Sequence, residues 1–75
     1  MLKLTPIHYK KLARTFERSG FVFDRTEGDH LIYIREKTVR SVVIPRYRNV
    51  PVFVIMNNLR SAGITRGEYF RLLEK

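Results

Sequence analysis

Between Phe21 and Pro45 lie three short runs of β-branched and aromatic residues, joined by turns too brief to hold a crossover helix. Phe21-Val22-Phe23-Asp24-Arg25 is followed, across Glu27-Gly28-Asp29, by Leu31-Ile32-Tyr33-Ile34-Arg35. Glu36-Lys37 then makes a second polar turn before Val39-Arg40-Ser41-Val42-Val43-Ile44. Parallel pairing needs about a dozen connecting residues, so an antiparallel meander is expected. Gly28 can supply a positive φ in the first turn, and Pro45, with no N–H to donate, ends the third strand. Apolar residues point to both faces. One face is expected to pack on helices, leaving Val39 and Val43 exposed or covered by a partner.

The flanking segments change to a helical period. Thr5-Pro6 reads as an N-cap followed by proline at the first helical position. Tyr9, Leu12, Ala13 and Phe16 then fall at i, i+3, i+4, i+7, and Gly20 fits the left-handed residue that ends the helix. Lys10, Arg14 and Arg18 share that helix, where like charges repel, and a solvated face is the expectation. Pro51 opens a second helix with Val52, Ile55, Met56 and Leu59 at the same spacing and Gly63 past its end. Thr65-Arg66-Gly67-Glu68 has capping-box spacing and introduces a short third helix carrying Tyr69, Phe70, Leu72 and Leu73. The expected fold is a single α+β domain over residues 1–75, a two-layer α-β-β-β-α arrangement with helices on one face of a three-stranded antiparallel sheet.

Charge narrows the partners. The 75 residues hold 15 Lys+Arg against 7 Asp+Glu, a net charge of +8, which favours a polyanion such as RNA. An acidic protein would also be attracted. The chain is too short for a multidomain enzyme, yet 44% hydrophobic residues suffice for a thin core. Without cysteine there is no disulfide, thiolate nucleophile or thiolate metal site. The opening Met1-Leu2-Lys3-Leu4-Thr5-Pro6 lacks the apolar run of a signal peptide, so a soluble, cytoplasmic protein with no membrane partner is expected.

His30 is the sharpest candidate for chemistry. Imidazole titrates near neutrality, and this one follows Glu27-Gly28-Asp29, where a turn enters a strand near the sheet edge. The plainer reading is an ordinary polar residue at a strand start. His8, at the beginning of the first helix, reads as surface or capping. Asp24, Glu27, Asp29 and His30 lack any recognised metal-loop spacing, and neither a metal nor a cofactor is expected. There is no G-x-S-x-G and no glycine-rich phosphate loop. Arg35, Lys37, Arg40, Arg46, Tyr47 and Arg48 follow in one stretch. Guanidinium groups clamp phosphates, and Tyr33 or Tyr47 can stack on an unpaired base. Scattered surface charge is the alternative.

Four segments in register carry a resemblance: Gly20-Phe21, Gly28-Asp29-His30-x-Ile32-Tyr33, Val42-Val43-Ile44-Pro45-Arg46, and Leu59-Arg60-Ser61-Ala62-Gly63-Ile64-Thr65. Together they resemble the HicA (YcfA-like) toxin family from about Tyr9 to Leu73. The resemblance implies a fold like the double-stranded-RNA-binding domain and a metal-independent mRNA-cleaving toxin of a type II toxin–antitoxin pair, neutralised by a HicB-like antitoxin. The family's catalytic histidine, in its Gly-Ser-His motif, falls on His30. Asp29 stands where that motif has serine, placing beside the imidazole a carboxylate that can orient it or repel a phosphate. Tyr47 stands where many members have histidine, and Pro51-Val52-Phe53-Val54 where small residues are usual.

An endoribonuclease with one catalytic histidine is therefore the expectation, with the six basic and aromatic residues binding RNA and Asp29 as modulator. A non-catalytic RNA-binding or protein-interaction module of the same fold is the alternative.

Overall fold

A computed structural model describes residues 3–75; Met1 and Leu2, which begin the opening read above for a signal peptide, lie outside the described residues. The order is α1 (Tyr9–Arg18), β1 (Val22–Glu27), β2 (His30–Ile34), β3 (Val42–Pro45), α2 (Val52–Ala62) and α3 (Arg66–Glu74). The three strands form one antiparallel sheet in the order β1-β2-β3, and the fold is of the α+β class expected. Among the described residues no helix is long and apolar enough to cross a membrane.

Helix α1 starts later than expected. Ile7 is extended and bridges Val50, whose N–H donates to the Ile7 carbonyl at 2.7 Å, so Thr5-Pro6 precedes the helix instead of capping it. The N-cap is His8, whose Nδ1 accepts from the Lys10 N–H at 3.1 Å. Tertiary pairing of Ile7 has overridden the local Thr-Pro signal. Leu12, Ala13 and Phe16 are buried as the spacing requires. Lys10 and Arg14 are solvated, but Arg18 is not merely so. Its Nη1 donates to the Leu72 carbonyl at 2.6 Å, meeting one of the orphan acceptors at the end of α3.

Strand β3 is shorter than the run that suggested it. Pairing with β2 begins at Val42, opposite Tyr33, and ends at Pro45, opposite His30. Val39, Arg40 and Ser41 belong to the connection, in which Lys37 takes a φ of 67°. The β1–β2 hairpin closes on Gly28-Asp29, with the positive φ of 59° on Gly28. Glycine at the first central position suits a type II′ turn. A bulge between Phe23 and Arg25 leaves Asp24 unpaired.

Strand pairs share a face, so the register sorts the sheet. Leu31, Tyr33, Val42 and Ile44 face the helices and meet Leu12, Phe16, Phe21, Val50, Ile55, Leu59 and Tyr69 in one core. The other face carries Val22, Arg25, His30, Ile32, Ile34, Val43 and Pro45. Val43 is 37% exposed there, and Val39, in the loop, is fully exposed, as the pattern suggested. Helix α2 departs from its stripe. Asn58 takes a buried place, while Met56 is 42% exposed. Gly63 ends α2 in the left-handed region, and the Thr65–Glu68 capping box of α3 is complete on both sides.

Candidate active site

The turn that leads into β2 delivers His30 to the end of the sheet. Because both connections are short, β2 is the central strand, so His30 does not lie at a lateral edge as expected. It is exposed because it is the first residue of its strand. Glu27 pairs with it on one side and Pro45 on the other. The backbone continues this order past the strand, where the Arg46 N–H donates to the Asp29 carbonyl at 2.8 Å. The loop after β3 is thereby tied to the turn before β2.

That loop is held from a second side. The Tyr9 N–H donates to the Tyr47 carbonyl at 3.1 Å, and the Arg46 guanidinium lies 5.9 Å from the centre of the Tyr9 ring. Arg46, Tyr47 and Arg48 are all exposed. They are the part of the expected basic cluster that shares an end of the molecule with His30.

Arg35, Lys37 and Arg40 are elsewhere. They follow the far end of β2, five or more residues along an extended strand from His30, which at about 3.3 Å per residue is more than 15 Å away. Arg35 is also committed to the fold. Its guanidinium donates to the Ser19 carbonyl at 3.1 Å, the Ala62 carbonyl at 2.8 Å and the Thr38 hydroxyl at 2.8 Å, and it lies 4.5 Å from the centre of the Phe21 ring. A run that is compact in sequence is thus divided between opposite ends of the sheet, because β2 and β3 are antiparallel.

The neighbouring carboxylates also have different roles. Asp24 and Glu27 both hold Arg25, at 2.6 and 2.7 Å, and these are the ion pairs among the described residues. They keep the Arg25 guanidinium above its ordinary pKa, Glu27 contributing most. No group of three or more potential metal ligands converges among the described residues. The Asp29 carboxylate is next to His30 in the chain but forms no ion pair with its ring.

Beside His30 is a cavity of about 320 Å³. One wall is His30, Val43, Pro45 and Tyr47; the other comes from the first two turns of α2, with Phe53, Asn57 and Asn58. Asn58 builds the junction between them. Its Nδ2 donates to the Val43 carbonyl at 2.9 Å, and its Oδ1 accepts from the Val43 N–H at 3.3 Å. Pro51 is the N-cap of α2, which has no side-chain cap and no acid in its first turn, and Pro51 also borders the cavity.

Phe53, Asn57 and Asn58 were not singled out from the sequence. Phe53 lies off the apolar stripe of its helix and is 67% exposed, and two adjacent amides interrupt an otherwise apolar segment. Those irregularities were the available signal.

No curated protein matches the chain. A family model described as the HicA toxin of bacterial toxin–antitoxin systems matches residues 9–64, from the start of α1 through α2 to Ile64, and so takes in the hairpin, His30 and the cavity. Covering well over half of the 75 residues, that match shows that the chain belongs to the HicA toxin family.

Proposed function

We propose that this toxin is an endoribonuclease that cuts mRNA without a metal, with His30 as the residue that moves the proton. The supporting observation is His30 itself, a solvent-exposed imidazole at a cavity mouth, with Arg46 and Arg48 on the adjoining loop. In the reaction a ribose 2′-oxygen attacks the neighbouring phosphorus and the bond to the 5′-oxygen breaks. The products are a 2′,3′-cyclic phosphate and a free 5′-hydroxyl. The imidazole takes the 2′-hydroxyl proton as base, or supplies one to the leaving oxygen as acid. Arg46 and Arg48 hold the phosphate and offset the charge that grows on it. With a single imidazole at the site, water serves as the other proton partner, and slow turnover is expected.

The RNA is unpaired at the cut, since a site about one nucleotide wide leaves no room for a duplex. A HicB-like antitoxin is the proposed protein partner, and an acidic surface on it would answer the toxin's charge of +8. His30→Ala tests the assignment: purified variant and wild type are compared for cleavage of single-stranded RNA, with circular dichroism to check folding. Cleavage should vanish while the spectrum is retained. A folded His30→Ala protein that cuts as well as wild type overturns the proposal, and a wild type that binds RNA but never cuts it leaves the binding-module reading.

A further inference from the structure

We propose that the cavity beside His30 is a nucleobase site that fixes where the RNA is cut, with one unpaired base stacked against Phe53 and Tyr47 and its edge read by Asn57; this rests on the nuclease reading above. Three aromatic side chains are exposed among the described residues, Phe23, Tyr47 and Phe53, and two of them line this cavity. Phe53, 67% exposed, contributes little to a core that it does not enter. An exposed aromatic beside a proton-transfer residue has the chemistry of a stacking platform for an unpaired base.

Size and shape agree. About 320 Å³ is at the small end of the range for small-molecule sites, suited to one base with part of its ribose. Pro45 and Pro51 stiffen the two walls, so the slot is formed before a ligand arrives.

The polar reader follows from the helix. Phe53 and Asn57 are four residues apart on α2 and so lie on one face, and both border the cavity. Asn58 is held by Val43 on both sides of its amide, whereas Asn57 is exposed and its amide has no partner among the described residues. An asparagine amide presents a donor and an acceptor side by side, the pattern that distinguishes one base edge from another. Holding that base in the slot sets its own phosphodiester against His30, so recognition and the choice of the cut bond become one event.

The test uses the full chain. His30→Ala protein is titrated with short single-stranded RNA carrying 2-aminopurine at each position in turn, and the active protein is mapped on a random-sequence RNA. One labelled position should change its emission on binding, and Phe53→Ala should weaken binding about tenfold, with Phe53→Tyr restoring it. The cleavage map should favour one base at that position, and Asn57→Ala should flatten the preference. If His30-dependent cleavage occurs but Phe53→Ala and Asn57→Ala bind and cut with the wild-type pattern, the nucleobase site is refuted and the nuclease reading stands. The same holds if those variants alter only the grip of a protein inhibitor. If the wild type neither binds nor cuts RNA, both fail.

Discussion

The Asn58 amide pairs with the backbone of Val43 as a neighbouring strand would, donating at 2.9 Å and accepting at 3.3 Å. Strand β3 is an edge of the sheet, and Val43 turns both its polar groups away from β2. An edge with unpaired groups invites a further strand. Here a side chain from α2 closes it and also fixes the distance between the two walls of the cavity.

Removing that amide should therefore loosen the fold and the site together. Asn58→Ala deletes two hydrogen bonds and leaves the Val43 groups to find water, which is expected to cost about 1–3 kcal/mol. The urea midpoint should fall with no change in slope. Unchanged stability would mean that solvent replaces the amide without loss.

The divided basic run gives a second expectation. Arg46→Ala and Arg48→Ala should change stability by no more than about 0.5 kcal/mol, since both side chains are exposed, but each should weaken RNA binding and lower its salt slope by about 0.7. Arg35→Ala should do the reverse. It frees two backbone carbonyls and a threonine hydroxyl, so a loss of about 2–3 kcal/mol is expected with little change in RNA affinity of the folded protein. Arg35→Lys should not restore stability, because an ammonium cannot span those acceptors in one plane. Isothermal titration at several salt concentrations, beside thermal melts, separates the two classes.

The fold was largely legible because its signals are local. Turn lengths dictated the meander, Gly20 and Gly28 took the positive φ values expected of them, and the Thr65 capping box formed as spaced. Misreadings arose where distant contacts outweighed local preference. Ile7 pairs with Val50, so Thr5-Pro6 could not start the helix. Arg35 looked like a phosphate ligand because its sequence neighbours are basic, and nothing in a linear string shows that Ser19 and Ala62 carbonyls converge on it. The site was half legible. His30 stood out by residue type, whereas Phe53 and Asn57 join it only once α2 lies along β3.

Gly20 and Arg35 form a coupled pair. Gly20 has a φ of 102°, and a Cβ there would lie 3.3 Å from Arg35 Cδ, crowding the side chain whose guanidinium holds the Ser19 and Ala62 carbonyls. Gly63, with φ of 70°, has open space around the same position. Gly63→Ala should cost about 1–2 kcal/mol from backbone conformation alone. Gly20→Ala should cost more, and part of that excess should disappear in an Arg35→Ala background. A double-mutant cycle with coupling below about 0.5 kcal/mol would refute the link.

Two buried phenols set the behaviour at high pH. Burial pushes the Tyr69 hydroxyl above its ordinary pKa, and it does the same for Tyr33, where the nearby Glu17 carboxylate raises it further. The folded protein therefore keeps these protons over a range in which the unfolded chain has begun to lose them. Their contribution to stability is complete below the ordinary tyrosine value near 10 and is lost as pH climbs towards the raised folded values. Urea midpoints measured from pH 8 to 11 should decline over the upper part of that window. Because Tyr69 is 1% exposed and packs in the core, Tyr69→Phe keeps the ring and removes the titration, so its decline should be shallower than that of wild type. Equal slopes in the two proteins would show that another group governs alkaline unfolding.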